Sequence, residues 1–87
     1  MMVRYFGAAR AAAGMDQEKL DVQPGTSLND VVDTLKSLHP DAGNGQPAMA
    51  SVVARSSFLR NEVALRDRTA PLADDDVIDI LPPFAGG

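Results

Sequence analysis

The stretch Ile80-Leu81-Pro82-Pro83-Phe84-Ala85-Gly86-Gly87 is the one arrangement in this sequence whose residue types and spacing read as chemistry. Leu81 ends a strand-like run. Pro82 and Pro83 then fix φ and favour an extended path away from it. The six residues from Pro82 to Gly87 can reach roughly 20 Å at about 3.3 Å each. Glycine lets the main chain pass through a channel that any Cβ would block. A stiff base carrying a slim tip suits a carboxylate that must enter another protein's active site. The expected reactive group is therefore the Gly87 carboxylate, with Gly86, Ala85, Phe84, Pro83 and Pro82 along its approach. A frayed terminus is the plain alternative.

A carboxylate is a poor electrophile until it carries a leaving group, usually through adenylation with ATP. This chain offers no phosphate-binding loop. GNGQPA, residues 43–48, fits G-x-G-x-x-A on the surface. The dinucleotide fingerprint, however, follows a strand and opens a helix, whereas here a helix ends just before and Pro47 interrupts. ATP is thus expected to be used by a partner enzyme, and no cofactor is expected on this chain. A sulfur donor attacking the acyl-adenylate gives a thiocarboxylate on Gly87. Passage through a thioester to a lysine gives a protein conjugate instead.

Other candidates carry less. Asp74, Asp75 and Asp76 lack the alternating oxygen ligands and distant glutamate of a calcium loop, and are read as a solvated turn. His39 is the single histidine and there is no cysteine, so no metal site is expected. His39 is placed at a helix C-terminus, where positive charge is favoured. No nucleophile pairs with a base. The isolated chain is therefore expected to be no enzyme, but the non-catalytic donor in a partner's reaction.

The elements that would position the tail follow from patterning. Eighty-seven residues make one small domain. MVRYF near the start suits a strand, GAARAAAG a short helical turn or loop, and EKLDV (18–22) a second strand with Leu20 and Val22 on one face. Pro24-Gly25 marks a turn. TSLNDVVDTLKSLHP is an amphipathic helix with Leu28, Val31, Val32, Leu35 and Leu38 as its apolar stripe, capped by Ser27 or Thr26 and stopped by Pro40. MASVVARSS fits a helical turn or a strand. FLRNEVALRD reads as two short strands around Asn61-Glu62. In VIDIL, Ile78 and Ile80 point to the core and Asp79 to water. A single amphipathic helix must bury its stripe on one face of a small sheet. The expectation is an α+β, β-grasp (ubiquitin-like) fold: a mixed sheet of four to five strands on one main helix, the last strand central beside the first. Residues 1–81 would form the domain and 82–87 the tail.

Net charge is −4, a poor match to nucleic acid or anionic membranes. It suits docking on a basic protein, with salt-sensitive steering. No apolar run approaches a membrane span, and MMVRYFG lacks the order of a signal peptide, so the cytoplasm is expected.

VRYFGAARAAAG, the capped helix and LADDDVIDILPPFAGG together resemble the ubiquitin-like sulfur carriers of the MoaD/ThiS family, over nearly the whole chain. The acidic turn, strand, Pro-Pro, apolar residue and Gly-Gly are the most specific part, and the ending is most similar to the molybdopterin branch. The resemblance implies adenylation of Gly87 by an E1-like activating enzyme and sulfur addition from a sulfurtransferase donor. It further implies insertion of the tail into the large subunit of molybdopterin synthase, whose lysines catalyse dithiolene formation in molybdenum cofactor biosynthesis. It makes Leu81, with Val63 and Leu65, candidate partner-interface residues. Related carriers for cysteine or thiamine synthesis, a ubiquitin-like protein modifier and a plain interaction module are the alternative readings.

Overall fold

The structure is a computed structural model that describes residues 1–40 and 45–83. Strand β1 (Met2–Tyr5) pairs antiparallel with β2 (Gln17–Lys19), Met2 opposite Lys19 and Arg4 opposite Gln17. Between them lies helix α1 (Gly7–Ala13), which buries Ala9, Ala12 and Ala13. Small side chains let it sit close to its neighbours. Gly14 closes it at φ +74°, its N–H donating to the Arg10 carbonyl at 2.8 Å, a left-handed cap that glycine accepts without a Cβ clash. The second strand sits earlier than its sequence pattern suggested. β1 begins at Met2, so the pairing is exhausted when the Leu20 N–H reaches the Met1 carbonyl. Leu20 is nonetheless buried, and Val22 packs against the core.

Helix α2 (Leu28–Leu38) opens on a capping box: the Asp30 N–H donates to Ser27 Oγ and the Ser27 N–H to Asp30 Oδ2. Leu28, Val31, Val32 and Leu35 are buried, but Leu38 is half exposed. Ten residues of helix at about 100° each leave Leu38 roughly 80° off the direction of Leu28, whereas seven leave Leu35 within about 20°. The ambiguous MASVVARSS segment yields helix α3 (Met49–Arg55), with Met49, Val52 and Val53 buried at i, i+3 and i+4. α3 packs on α1 and α2. Two short helices therefore join the main one that patterning identified.

β3 (Ser57–Arg60) turns through Asn61 and Glu62, at φ +49° and +71°, into β4 (Val63–Ala64). Positive φ at both turn residues matches the twist of a two-residue hairpin. β5 (Val77–Leu81) completes a mixed sheet of order β2-β1-β5-β3-β4. β5 runs parallel to β1 and antiparallel to β3 at its centre. The helices cover one face over Val3, Tyr5, Phe58, Ile78 and Ile80. This is the β-grasp, ubiquitin-like architecture.

Two acidic residues depart from expectation. Asp79, expected to face water, is 4% exposed. It lies on the face opposite the helices, but in the central strand, where Arg4 of β1 reaches over it. Asp76, expected in a solvated turn, is also buried. Its carboxylate accepts from the Ala73 N–H (2.8 Å), Asn61 Nδ2 (2.9 Å) and Arg60 Nε (2.8 Å), locking the β3–β4 turn to the start of β5.

Candidate functional site: the exit of the central strand

β5 hands the chain to Pro82 at the end of the sheet. Its last residue, Leu81, is half-buried and pairs with Ser57. The parallel register sets Tyr5 beside Ile80, and Phe6 continues in extended conformation (φ −127°, ψ 151°). One step on, Phe6 therefore stands beside Leu81. The Tyr5 N–H donates to the Asp16 carbonyl at 2.8 Å, so the β1–β2 pairing also continues and sets Met15 across from Phe6. Phe6 is 42% and Met15 40% exposed. The pleat puts Met15, Phe6, Leu81 and the half-buried Leu59 on the face away from the helices. An apolar rim thus borders the root of the tail. Phe6 is the residue that sequence reasoning missed. The signal was available: Phe6 continues the alternation in which Val3 and Tyr5 point inward.

Pro82 is half-buried and Pro83 exposed. Phe84, Ala85, Gly86 and Gly87 lie outside the described residues. The three proposed interface residues do not fall in one row. Leu81 alternates with Asp79. Val63 pairs with Arg60, in the opposite alternation, and is 69% exposed at the sheet edge. Leu65 lies across from Phe58, its N–H donating to the Phe58 carbonyl at 2.9 Å, and packs against the core.

At the centre of the outer face the Arg4 guanidinium grips Asp79 in a fork, Nε to Oδ1 at 2.5 Å and Nη2 to Oδ2 at 2.7 Å. The bonded Asp79 carboxylate holds Arg4 charged, above its already high ordinary pKa. The fork neutralises a buried carboxylate at the centre of the sheet's outer face.

On the helix side, His39 is the C-cap residue of α2, as its position in the sequence implied. Its Nε2 and the Tyr5 hydroxyl each lie 2.7 Å from the same Glu18 oxygen. Burial and the Glu18 bond push the Tyr5 hydroxyl far above its usual pKa. Burial raises the Glu18 carboxyl, but bonds from His39 and Tyr5 outweigh it and hold it below the usual range. No nucleophile adjoins this trio among the described residues, and its geometry ties the end of α2 to β2.

The ThiS family model matches residues 3–87. The chain belongs to the ThiS family. It is 30% identical over 87 residues to the molybdopterin synthase sulfur carrier subunit of Chlamydomonas reinhardtii, covering 98% of this chain and 95% of that protein. It is 31% identical over 90 residues to the protein of the same name from Mycobacterium tuberculosis strain H37Rv, covering 98% and 94%. Among solved structures it superposes on SAMP1 from Haloferax volcanii with a TM-score of 0.77 and 25% identity, covering 100% of this chain and 98% of that one. The resemblance read from the two terminal motifs and the capped helix is thereby borne out, and so is the fold. The ThiS family match extends through the Pro-Pro and Gly-Gly tail.

Proposed function

We propose that this chain is the sulfur carrier of a molybdopterin synthase. The observation that carries the reading is its full-length similarity to two proteins of that function in an alga and a bacterium. The architecture fits the role. A central strand anchored on both sides ends at two prolines beside an apolar rim, so the tail starts from a rigid point next to a surface suited to a partner.

In this reading the Gly87 carboxylate attacks the α-phosphorus of ATP on an E1-like activating enzyme, and pyrophosphate leaves. A sulfurtransferase persulfide attacks the acyl-adenylate and displaces AMP, and a thiol reductant cleaves the resulting acyl disulfide to leave a thiocarboxylate. The large synthase subunit receives the tail, and the thiocarboxylate sulfur passes to the pterin precursor. Leu81 and Phe6 contact the partner, Pro82 to Gly86 thread the partner's channel, and the catalytic side chains belong to the partner.

The test is the intact mass of the chain purified from its own cells, with fragmentation to localise any change. Replacement of one oxygen by sulfur at Gly87, together with loss of molybdoenzyme activity on deletion, is the expected result. Branched adducts joining Gly87 to lysines would instead make the chain a protein modifier. A thiocarboxylate with molybdoenzymes intact in the deletion strain would assign it to another sulfur pathway. An unmodified carboxylate after incubation with ATP, a sulfur source and cell extract would overturn the carrier reading.

A further inference from the structure

Net charge of −4 suggests a basic partner, but the charges are not evenly spread. Asp74, Asp75, Asp76 and Glu62 gather around the start of β5 and the adjoining β3–β4 turn. At its exit the balance reverses. The β3–β4 pairing continues past Ala64, with Leu65 across from Phe58, and one step on Arg66 stands across from Ser57. Ser57 in turn pairs with Leu81, so Arg66 lies two strands from the root of the tail.

Arg68 sits beside it with its guanidinium carbon 4.9 Å from the centroid of the Phe58 ring. That distance is a cation–π contact, which engages the guanidinium face and not its N–H donors. The segment is also held in place. The Asn29 N–H donates to the Arg68 carbonyl at 3.0 Å, and Asp67 Oδ1 accepts from the N–H and hydroxyl of Thr69 at 2.9 and 2.7 Å. Those bonds turn the Asp67 carboxylate to Thr69 and hold it ionised, so the two arginines outweigh it by one charge. Among the described residues, Arg4, Arg10 and Arg60 each hold a carboxylate, whereas no salt bridge reaches Arg66 or Arg68. Both arginines line a depression with Ser57, Leu59, Ala64 and Leu65.

We propose that Arg66 and Arg68, with the Ser57 hydroxyl, form an anion-recognition site beside the tail root that takes the side-chain carboxylates of an acidic segment on the protein processing the tail. The inference rests on the carrier reading for the partner's role, not for the site itself. Arginine forks take carboxylates and phosphates alike. The floor of Leu59, Ala64 and Leu65 favours a peptide segment, which carries apolar stems as well as carboxylates, over a small hydrated phosphate.

The test is a two-dimensional NMR titration of the full 15N-labelled chain with a hexaglutamate peptide and, separately, with pyrophosphate. The expected result is saturable shifts at the Arg66 and Arg68 Nε–Hε and the Ser57 amide with the peptide. R66A should weaken binding about tenfold, the scale of one lost charge-assisted pair. R68K, which keeps the charge but not the fork, should weaken it too. Arg66 is exposed, so R66A should retain the native spectrum even if replacement of Arg68 disturbs the core. Shifts scattered over all basic residues, no saturable shifts, or stronger binding of pyrophosphate at the same resonances would each overturn the proposal. The titration needs no sulfur on Gly87, so failure of the carrier reading leaves this result independently readable.

Discussion

At the residue scale, buried acids in this molecule act as cross-links rather than as reagents. Asp76 joins three segments through bonds from Ala73, Asn61 and Arg60. Burial pushes its carboxyl up, but those three donors outweigh burial and leave it below the usual carboxylate range. A carboxyl depressed in the folded state stabilises fully above its unfolded pKa of about 3.9. That contribution is lost as pH falls through the folded value. Asp76→Asn is therefore expected to cost ~2 kcal/mol at neutral pH, through its weakened charge-assisted bonds. It should also flatten the loss of stability below about pH 4. Urea unfolding of both proteins at neutral and acid pH checks both points. For Arg4 and Asp79 the expected pattern is non-additive. Arg4→Met alone leaves a buried carboxylate without its partner and destabilises, and adding Asp79→Leu restores most of the loss.

At the scale of elements, α2 depends on its start and on a stripe that ends before its last turn. Removing the cap with Ser27→Ala should cost about 1 kcal/mol. That corresponds to a fall of roughly 5 °C in Tm for a domain this small. Along the stripe, Leu35→Ala is expected to cost about 2–5 kcal/mol, because it opens a cavity in the core. Leu38→Ala should stay within about 0.5 kcal/mol, because that side chain is half exposed. Thermal melts of the three variants separate the stripe that packs from the stripe that the sequence displays. Equal effects at Leu35 and Leu38 would contradict the observed rotation of Leu38 off the core.

At the scale of the whole molecule, the sheet has two different faces and two different ends. One face carries the helices. The other presents Phe6, Leu59 and Leu81 around a neutralised ion pair. One end of β5 is acidic and held by Asp76, and the other releases the tail among apolar and arginine side chains. If that exit is where the carrier docks, Phe6→Ser and Leu81→Ser should each weaken binding of the large synthase subunit by about tenfold or more. Their melting temperatures should barely move, because neither side chain lies in the core cluster. Isothermal titration of the purified subunits measures this directly. Val63→Ser provides the contrast at the sheet edge, where the register puts it in the opposite alternation. One residue added after Gly87 should abolish sulfur transfer while leaving that binding intact.

Much of this was legible in the sequence. Periodicity and capping residues marked α2, β-branched and aromatic content marked β1, alternation marked β5, and the two turn residues marked the β3–β4 hairpin, since each is a local consequence of backbone geometry. What the sequence could not decide is whatever depends on which strands become neighbours. Phe6 and Leu81 are 75 residues apart by their register offset, and only the parallel β1–β5 pairing brings them together. The Asp79 carboxylate looked solvated because its own strand pattern pointed it away from the helices. Arg4 covers it because β5 is central, with β1 along one edge and β3 along the other. The short helix α3 could equally have been a strand until α1 and α2 supplied a surface for Met49, Val52 and Val53. Local patterning dictates which element a segment prefers, and only tertiary packing decides what that element is placed against.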